Sequence, residues 1–483
     1  MRGRWLPWLL ALACALPALA EATDDEDEWT VLFYMCGSDL ESRYGFATQN
    51  LEGIASVGYH SGETSDMMDA YFRFTGSEKK PHDDARVNVL IETGGSKAWH
   101  AEHLGMEIST NALQRWRYQF DAGDGANGFS LEQTLLLQSM ANPNTLSDFV
   151  RWGAENYPAK KYALVLWDHG GGSKTGLFID KLFDGDFMYL DELGDALRES
   201  GVRLEAVLFD ACLMAGLETA SAISDSAKWM IASEELVAGQ GTAVHDWLQQ
   251  LVTAPELDGE WLGRWICDMT QIMYSNENDE QTQELLTWSV IDLEKVPRLV
   301  QLVDAGFASL GKVYSTHPKI VSQLASLVVH MEHYGTREGD ERMWDLTGLL
   351  YSPKMNAMIP PELYQEMLNL LKDVVAYNVR GPGRSAARGI SYCYAVSFST
   401  RELDDYARNC PMPNYLAFLD AISPWTAPDW VYDTAERLPE ISTMKEYRQH
   451  RTVKVVSWRV DFSSGADADF AGLLAVNQEN CIR

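Results

Sequence analysis

The chain has 483 residues, enough to bury a large core and to form two or three domains, and its 46% hydrophobic and 23% charged content is that of a globular protein. Lys and Arg number 39 against 70 Asp and Glu, a formal net charge of −31. That field repels nucleic acid and anionic membrane surfaces and draws in basic ligands.

The chain begins with Arg2 and Arg4, an apolar run from Trp5 to Leu16 and the small-x-small triplet Ala18-Leu19-Ala20. This is the pattern of an export signal over 1–20, which predicts a secreted or periplasmic protein. Lipid attachment at Cys14 is disfavoured because the apolar run continues past it. The run is short for a membrane span, and no later segment offers about 20 uncharged residues, so no transmembrane segment is expected. The acidic leader that follows, TDDEDE, has nothing apolar to anchor it. Six cysteines remain beyond the signal, without CxxC or zinc-type spacing, and no metal site is indicated.

WTVLFYMC (29–36) predicts a strand closed by the turn GSD, and ARVNVLIE (85–92) a second one ending in TGG. The polar stretch between them, 57–84, reads as an inserted loop. NTLSDFVRWGAENYP (144–158) places Leu146, Phe149 and Val150 at helical spacing and is closed by Pro158. A strand over 162–167 then runs into Asp168, His169 and three glycines. Next come a Gly/Asp-rich loop, a helix over 190–201 and a strand over 205–210. A further helix in CLMAGLETASAIS is expected to open at Ala211-Cys212. Strand and helix alternating in this way predict a parallel sheet flanked by helices. Beyond 260 the texture is mainly helical, in EKVPRLVQLVDAGFASL, KIVSQLASLVVHMEHY and ELYQEMLNLLKDVVAY (362–377), with a strand over 389–398 and an alternating segment over 452–462.

In a parallel sheet reactive groups collect at the carboxyl ends of strands. Two such ends carry His169 and Cys212, the minimum set for nucleophilic acyl transfer: a thiolate attacks a carbonyl and an imidazole moves the protons. Backbone N–H groups at Gly170 and Cys212 can hold the developing oxyanion, and a helix opening at Cys212 would favour its thiolate. Taken singly, each residue has a plainer reading, a small core thiol and a histidine in a turn. Their joint placement favours chemistry. Cys36 also ends a strand and is the rival nucleophile, but no helix start or acid-Ala preface accompanies it, and it reads as core or as lining the same edge. HGGG lacks the G-x-S-x-G of serine esterases, GGGSKTG fails the phosphate-loop pattern, and HMEH (330–333) has the wrong spacing for a zinc peptidase helix.

The blocks WTVLFYMCGSDLE, NPNTLSDFVRWGAENYPAKKYALVLWDHGGG, LDELGDALRESGVRLEAVLFDACLMAGLETA and MIASEELVAGQG resemble the clostripain-type cysteine peptidases, in the clan of caspases, legumains and gingipains. Weaker likeness continues to about residue 425. The resemblance implies a caspase-like α/β/α sandwich with a mostly parallel sheet, plus a largely helical C-terminal region. Together with the reading of the residues it divides the chain into signal (1–20), acidic leader (21–28), catalytic domain (29–260), a mainly helical part with added strands (261–426) and an extension without an assigned role (427–483). It further implies a His169–Cys212 dyad, with Asp210 lining a primary pocket for Arg or Lys, and Glu234 and Glu235 as nearby candidates for a second pocket acid. An acid capping the following helix is the plainer reading of Asp210. Protein or peptide substrates with basic residues follow. No cofactor is expected; the resemblance leaves calcium open, and no motif supports it.

Enzymes that this sequence resembles often mature by cutting their own chain between the catalytic His and Cys. Of the four basic residues there, Lys174 is too close to the dyad, Arg198 lies in a helix and Arg203 abuts a strand. Lys181, in the loop GLFIDKLFDGDF, is the expected cut, giving a monomer or a nicked light/heavy-chain complex. The competing readings are a catalytically silent binding or adhesion protein on the same fold, and an amidase or transpeptidase using the same dyad.

Overall fold

A computed structural model describes residues 26–58, 86–120, 128–276, 280–316, 331–335, 343–350, 357–394, 400–422 and 444–445. The expected export signal, most of the acidic leader and of the 57–84 insertion, nearly all of the helix expected near 319–334, and the 452–462 segment lie outside the described residues.

Nine strands form one sheet: β1 (Asp27–Cys36), β2 (Val87–Gly94), β3 (Ala112–Gln119), β4 (Gly128–Leu136), β5 (Ala159–Trp167), β8 (Leu204–Asp210), β9 (Ala227–Ala232), β10 (Thr287–Asp292) and β13 (Val375–Arg380). Their spatial order is β13-β10-β9-β8-β5-β1-β2-β3-β4. The five central strands, β9-β8-β5-β1-β2, run parallel. An antiparallel pair extends the sheet on each side. A separate hairpin pairs β6 (Leu177–Asp180) with β7 (Asp186–Met188). Near residue 390, β11 (His333–Tyr334), β12 (Met343–Asp345) and β14 (Ser391–Cys393) make a small second sheet.

The central strands are buried on both faces, which is why they read as unbroken apolar runs. Alternate residues divide between two cores. Leu32, Tyr34, Leu164, Leu166, Val207 and Phe209 face helices Pro143–Asn156, Leu190–Ser200 and Leu217–Ile223. Val31, Phe33, Met35, Val165, Trp167 and Leu208 face helices Phe46–Ala55, Val244–Thr253 and Gly259–Asn276. This two-sided cover is the expected α/β/α sandwich.

Local chemistry sets the helix ends around it. Asn142 accepts the Asn144 N–H at 2.9 Å, and Pro143 follows it at the first helical position. The Glu192 carboxylate accepts the Tyr189 N–H at 3.0 Å at the start of Leu190–Ser200, and Gly201, at φ 73, closes that helix in the left-handed region.

Two expectations are corrected. The helix expected over 362–377 ends at Val374, because Val375–Arg380 leaves it to pair with β10 as a sheet strand. The helix expected to open at Ala211-Cys212 begins only at Leu217. Residues 211–216 instead form an irregular segment held to the chain beyond β9: the Leu213 N–H donates to Glu235 O at 3.1 Å and the Ala215 N–H to Ser233 O at 2.9 Å. Leu213 takes φ 65 to make that turn.

Candidate active site

Trp167 of β5 is paired in register with Asp210 of β8, and with Met35 of β1 on its other side. His169 and Cys212 therefore stand two residues beyond the same rung of neighbouring parallel strands, whose axes are about 4.8 Å apart. Asp39, at the start of the helix Ser38–Tyr44 that follows β1, reaches the same edge. The strand ends close on one another through Gly170. A Cβ built at Gly170 would lie 2.1 Å from the Cys212 carbonyl oxygen and 3.0 Å from its nitrogen. Only glycine fits there.

The close fit gives an expected result. Gly170→Ala must push the two strand ends apart, and a displacement of about 1 Å between reacting groups costs on the order of a hundredfold. The rate of Cys212 alkylation by iodoacetamide, followed by peptide mass, checks this. A variant that reacts at the wild-type rate contradicts the fit.

Cys212 is partly buried, and burial raises its thiol pKa; the N–H groups of Val237 and Gly170 pull the other way. The Val237 N–H donates to Sγ at 3.2 Å. Because the helix starts at Leu217, no helix dipole favours the thiolate, contrary to expectation. The proton must therefore go to a base. His169 is the imidazole on the neighbouring strand end. Its Nε2 lies 3.2 Å from Asp39 Oδ1, and Lys181 Nζ lies 3.1 Å from the same oxygen. Burial pushes the Asp39 carboxyl up, but Lys181 and His169 outweigh it and hold it below its ordinary value.

Asp210 is buried, and its Oδ2 accepts the Thr242 N–H at 3.0 Å and the Thr242 hydroxyl at 2.9 Å. It caps no helix. Its Oδ1 is buried and, among the described residues, has no hydrogen-bond partner. Gly241 keeps the space before that oxygen open, since a Cβ there would come within 2.6 Å of Oδ1. Burial pushes the carboxyl up to about 6 against the pull of Thr242.

Glu235 is engaged on all sides: its Oε1 accepts the N–H groups of Leu236 and Gly335, and its Oε2 pairs with Arg384. Glu234 is fully buried, with Oε2 accepting the Gly389 N–H at 2.9 Å. Lys181 opens the turn of the β6–β7 hairpin, where the sequence suggested an open loop. Its N–H donates to Gly95 O at 3.1 Å, and its ammonium sits on Asp39. Cys36 is fully buried beneath Gly95, as a core residue would be. Asp39, Val237, Thr242 and Gly241 were not singled out from the sequence. Only Asp39 left a trace there, as an acid in the turn after the first strand.

Among the described residues no cluster of three or more His, Cys, Asp or Glu side chains could hold a metal ion, and no helix is long and apolar enough to cross a membrane.

The family model for the clostripain family matches residues 80–387, well over half of the chain. Clostripain of Hathewaya histolytica is 30% identical over 182 residues, 33% of this chain and 34% of its own length, so the match spans about a third of that relative. A secreted cysteine protease from Bacteroides thetaiotaomicron, solved with an irreversible peptide inhibitor, superposes with a TM-score of 0.57 at 16% identity, covering 82% of this chain and 99% of that one. An inactive zymogen protease from Parabacteroides distasonis gives 0.55 at 19%, covering 77% and 93%. At these identities the two likenesses are ones of fold.

Proposed function

Since the chain belongs to the clostripain family, we propose that it is an exported cysteine endopeptidase that cleaves after Arg or Lys through Cys212 and His169. His169 takes the Cys212 proton, and the thiolate adds to the scissile carbonyl. The N–H groups of Gly170 and Cys212 face the oxyanion that forms. Collapse of the tetrahedral adduct breaks the C–N bond, with His169 giving its proton to the leaving amine. Water, deprotonated by the same imidazole, then releases the acyl group from sulfur.

The observation that carries the basic preference is the buried, unpartnered Oδ1 of Asp210 behind the opening at Gly241. Such an oxygen is costly to leave unpaired. A guanidinium or ammonium entering from substrate gives it a charge-assisted hydrogen bond, whereas an apolar side chain leaves it bare. Because burial pushes the carboxyl up to about 6 in the free site, it is charged above that pH and neutral below it. The kcat/KM ratio of an Arg amide to a Leu amide should therefore fall as pH drops through 6, and taking the ratio cancels titrations common to both substrates. A ratio flat from pH 5 to 8 would count against Asp210 as the pocket floor.

Self-cleavage after Lys181 belongs to the same proposal. Lys181 lies in the chain between the two dyad residues, at a hairpin turn, with its side chain 32% exposed. A cut there requires the hairpin to open and the Lys181–Asp39 contact to break. Intact-mass analysis of wild type should show a fragment ending at Lys181 that is absent from Cys212→Ala. Termini elsewhere, or the same cut in the variant, would remove the assignment.

A further inference from the structure

A carboxylate from the helix that follows β1 also reaches the strand edge, and no part of the two-residue mechanism uses it. We infer that Asp39 is the residue that positions His169, holding Nε2 so that Nδ1 is the nitrogen left to exchange a proton with Cys212. This rests on the peptidase reading above.

The helix start that carries Asp39 is fixed at several points. The Gly37 N–H donates to Gly94 O at 2.9 Å, the Glu41 N–H to Gly37 O at 2.7 Å and the Ser96 hydroxyl to Ser38 O at 2.8 Å. Ser38 itself takes φ 45, a conformation that few side chains adopt without such support. Glu41, fully buried, accepts the Thr48 N–H at 2.9 Å, the Thr48 hydroxyl at 2.6 Å and the His100 N–H at 2.9 Å, tying the first helix turn to its surroundings. Asp39 is thus presented on a rigid element, as a residue that orients another must be.

Three cationic or titratable groups face its carboxylate. His169 Nε2 stands 3.2 Å and Lys181 Nζ 3.1 Å from Oδ1, and Arg43 lies 3.8 Å from Oδ2. Lys181 and His169 hold the Asp39 carboxyl below its ordinary value, so it stays ionised and does not itself take up the imidazole proton. Its two consequences for His169 are distinct. It selects the tautomer by accepting the Nε2 hydrogen, and it stabilises the imidazolium that forms when Nδ1 accepts the Cys212 proton. No bond to substrate is involved, so Asp39 acts only through His169.

The test uses the full chain with Asp39→Ala, Asp39→Asn and His169→Ala beside wild type. Two readouts are taken: the rate at which iodoacetamide modifies Cys212, by peptide mass, and kcat and KM on an Arg amide. Asp39→Ala is expected to lower kcat on the order of 10–100-fold with KM within about twofold. Its Cys212 alkylation rate should fall toward that of His169→Ala. Asp39→Asn keeps an acceptor at Oδ1 and should recover at least part of both losses. Wild-type alkylation in Asp39→Ala, or an Asn variant no better than Ala, would overturn the positioning role. Should wild type cleave no amide at all, the peptidase reading fails, while the alkylation rates still decide whether Asp39 governs the His169–Cys212 pair.

Discussion

Cys212→Ala should abolish amide hydrolysis while the protein stays folded. The thiol sits at an irregular strand end, partly buried, with Sγ held by the Val237 N–H. Alanine fills nearly the same volume and removes only a sulfur whose pairings lie on its own rim, so a stability change of no more than about 1 kcal/mol is expected. The chemical loss is of another size. Without the nucleophile no acyl-enzyme forms, and at least a thousandfold loss of kcat is expected. His169→Ala should approach the same floor, because burial keeps the thiol protonated and no helix terminus lowers its pKa. The two losses should not add in the double variant, since both residues serve one proton transfer. Cys36→Ala should keep activity, its thiol being enclosed under Gly95. An inactive Cys36 variant beside an active Cys212 variant would reverse the nucleophile assignment.

The second large effect is expected at Asp210, and it has two opposite signs. Asp210→Asn preserves shape and the bonds from Thr242 but removes the charge that faces Gly241. For Arg or Lys substrates this removes a charge-assisted pair in a desolvated pocket, on the order of 2–4 kcal/mol, or roughly thirty- to several-hundredfold in kcat/KM. Neutral substrates should be little affected.

Stability should move the other way. A carboxyl raised to about 6 from its ordinary 3.8 holds its proton more tightly in the folded chain than in the unfolded one. Its contribution to stability therefore falls as pH rises through that window. Above it, the ionised Asp210 costs on the order of 2–3 kcal/mol, which the asparagine does not incur. Thermal midpoints of the variant and wild type should differ at pH 7.5, with the variant higher, and converge near pH 4. A variant that keeps its preference for basic substrates, or gains nothing at pH 7.5, would contradict this account of the pocket.

The strands that carry the dyad were legible because burial on both faces makes them continuous β-branched and aromatic runs, and parallel strands end together. YALVLW and EAVLFD needed nothing more. The segment after Cys212 was misread for a physical reason: CLMAGLETASAIS is small and apolar, with good helix formers. What holds its first residues out of the helix is a set of backbone bonds to Ser233 and Glu235, which no local pattern contains. A similar override ends the 362–377 helix at Val374, where β10 supplies ladder partners for Val375 and Tyr377.

The edge hairpin β3–β4 escaped notice because β4 is half exposed, with Leu136 at 85%, and carries no clean alternation. The proposed dyad was thus readable from two strand ends. Its Asp39 partner, 130 residues from His169 in sequence, became visible only once β1 was placed beside β5.

In the proposed reaction substrate acyl groups pass through Cys212, selected by an acidic pocket at Asp210 that takes a basic side chain. The most direct measurement is peptide mapping after incubation with an irreversible peptidyl ketone ending in Arg, set beside the same reagent ending in Leu. The expected result is a single adduct, on Cys212, formed far faster with Arg and lost in His169→Ala. Labelling at another cysteine, or equal labelling by both reagents, would contradict it.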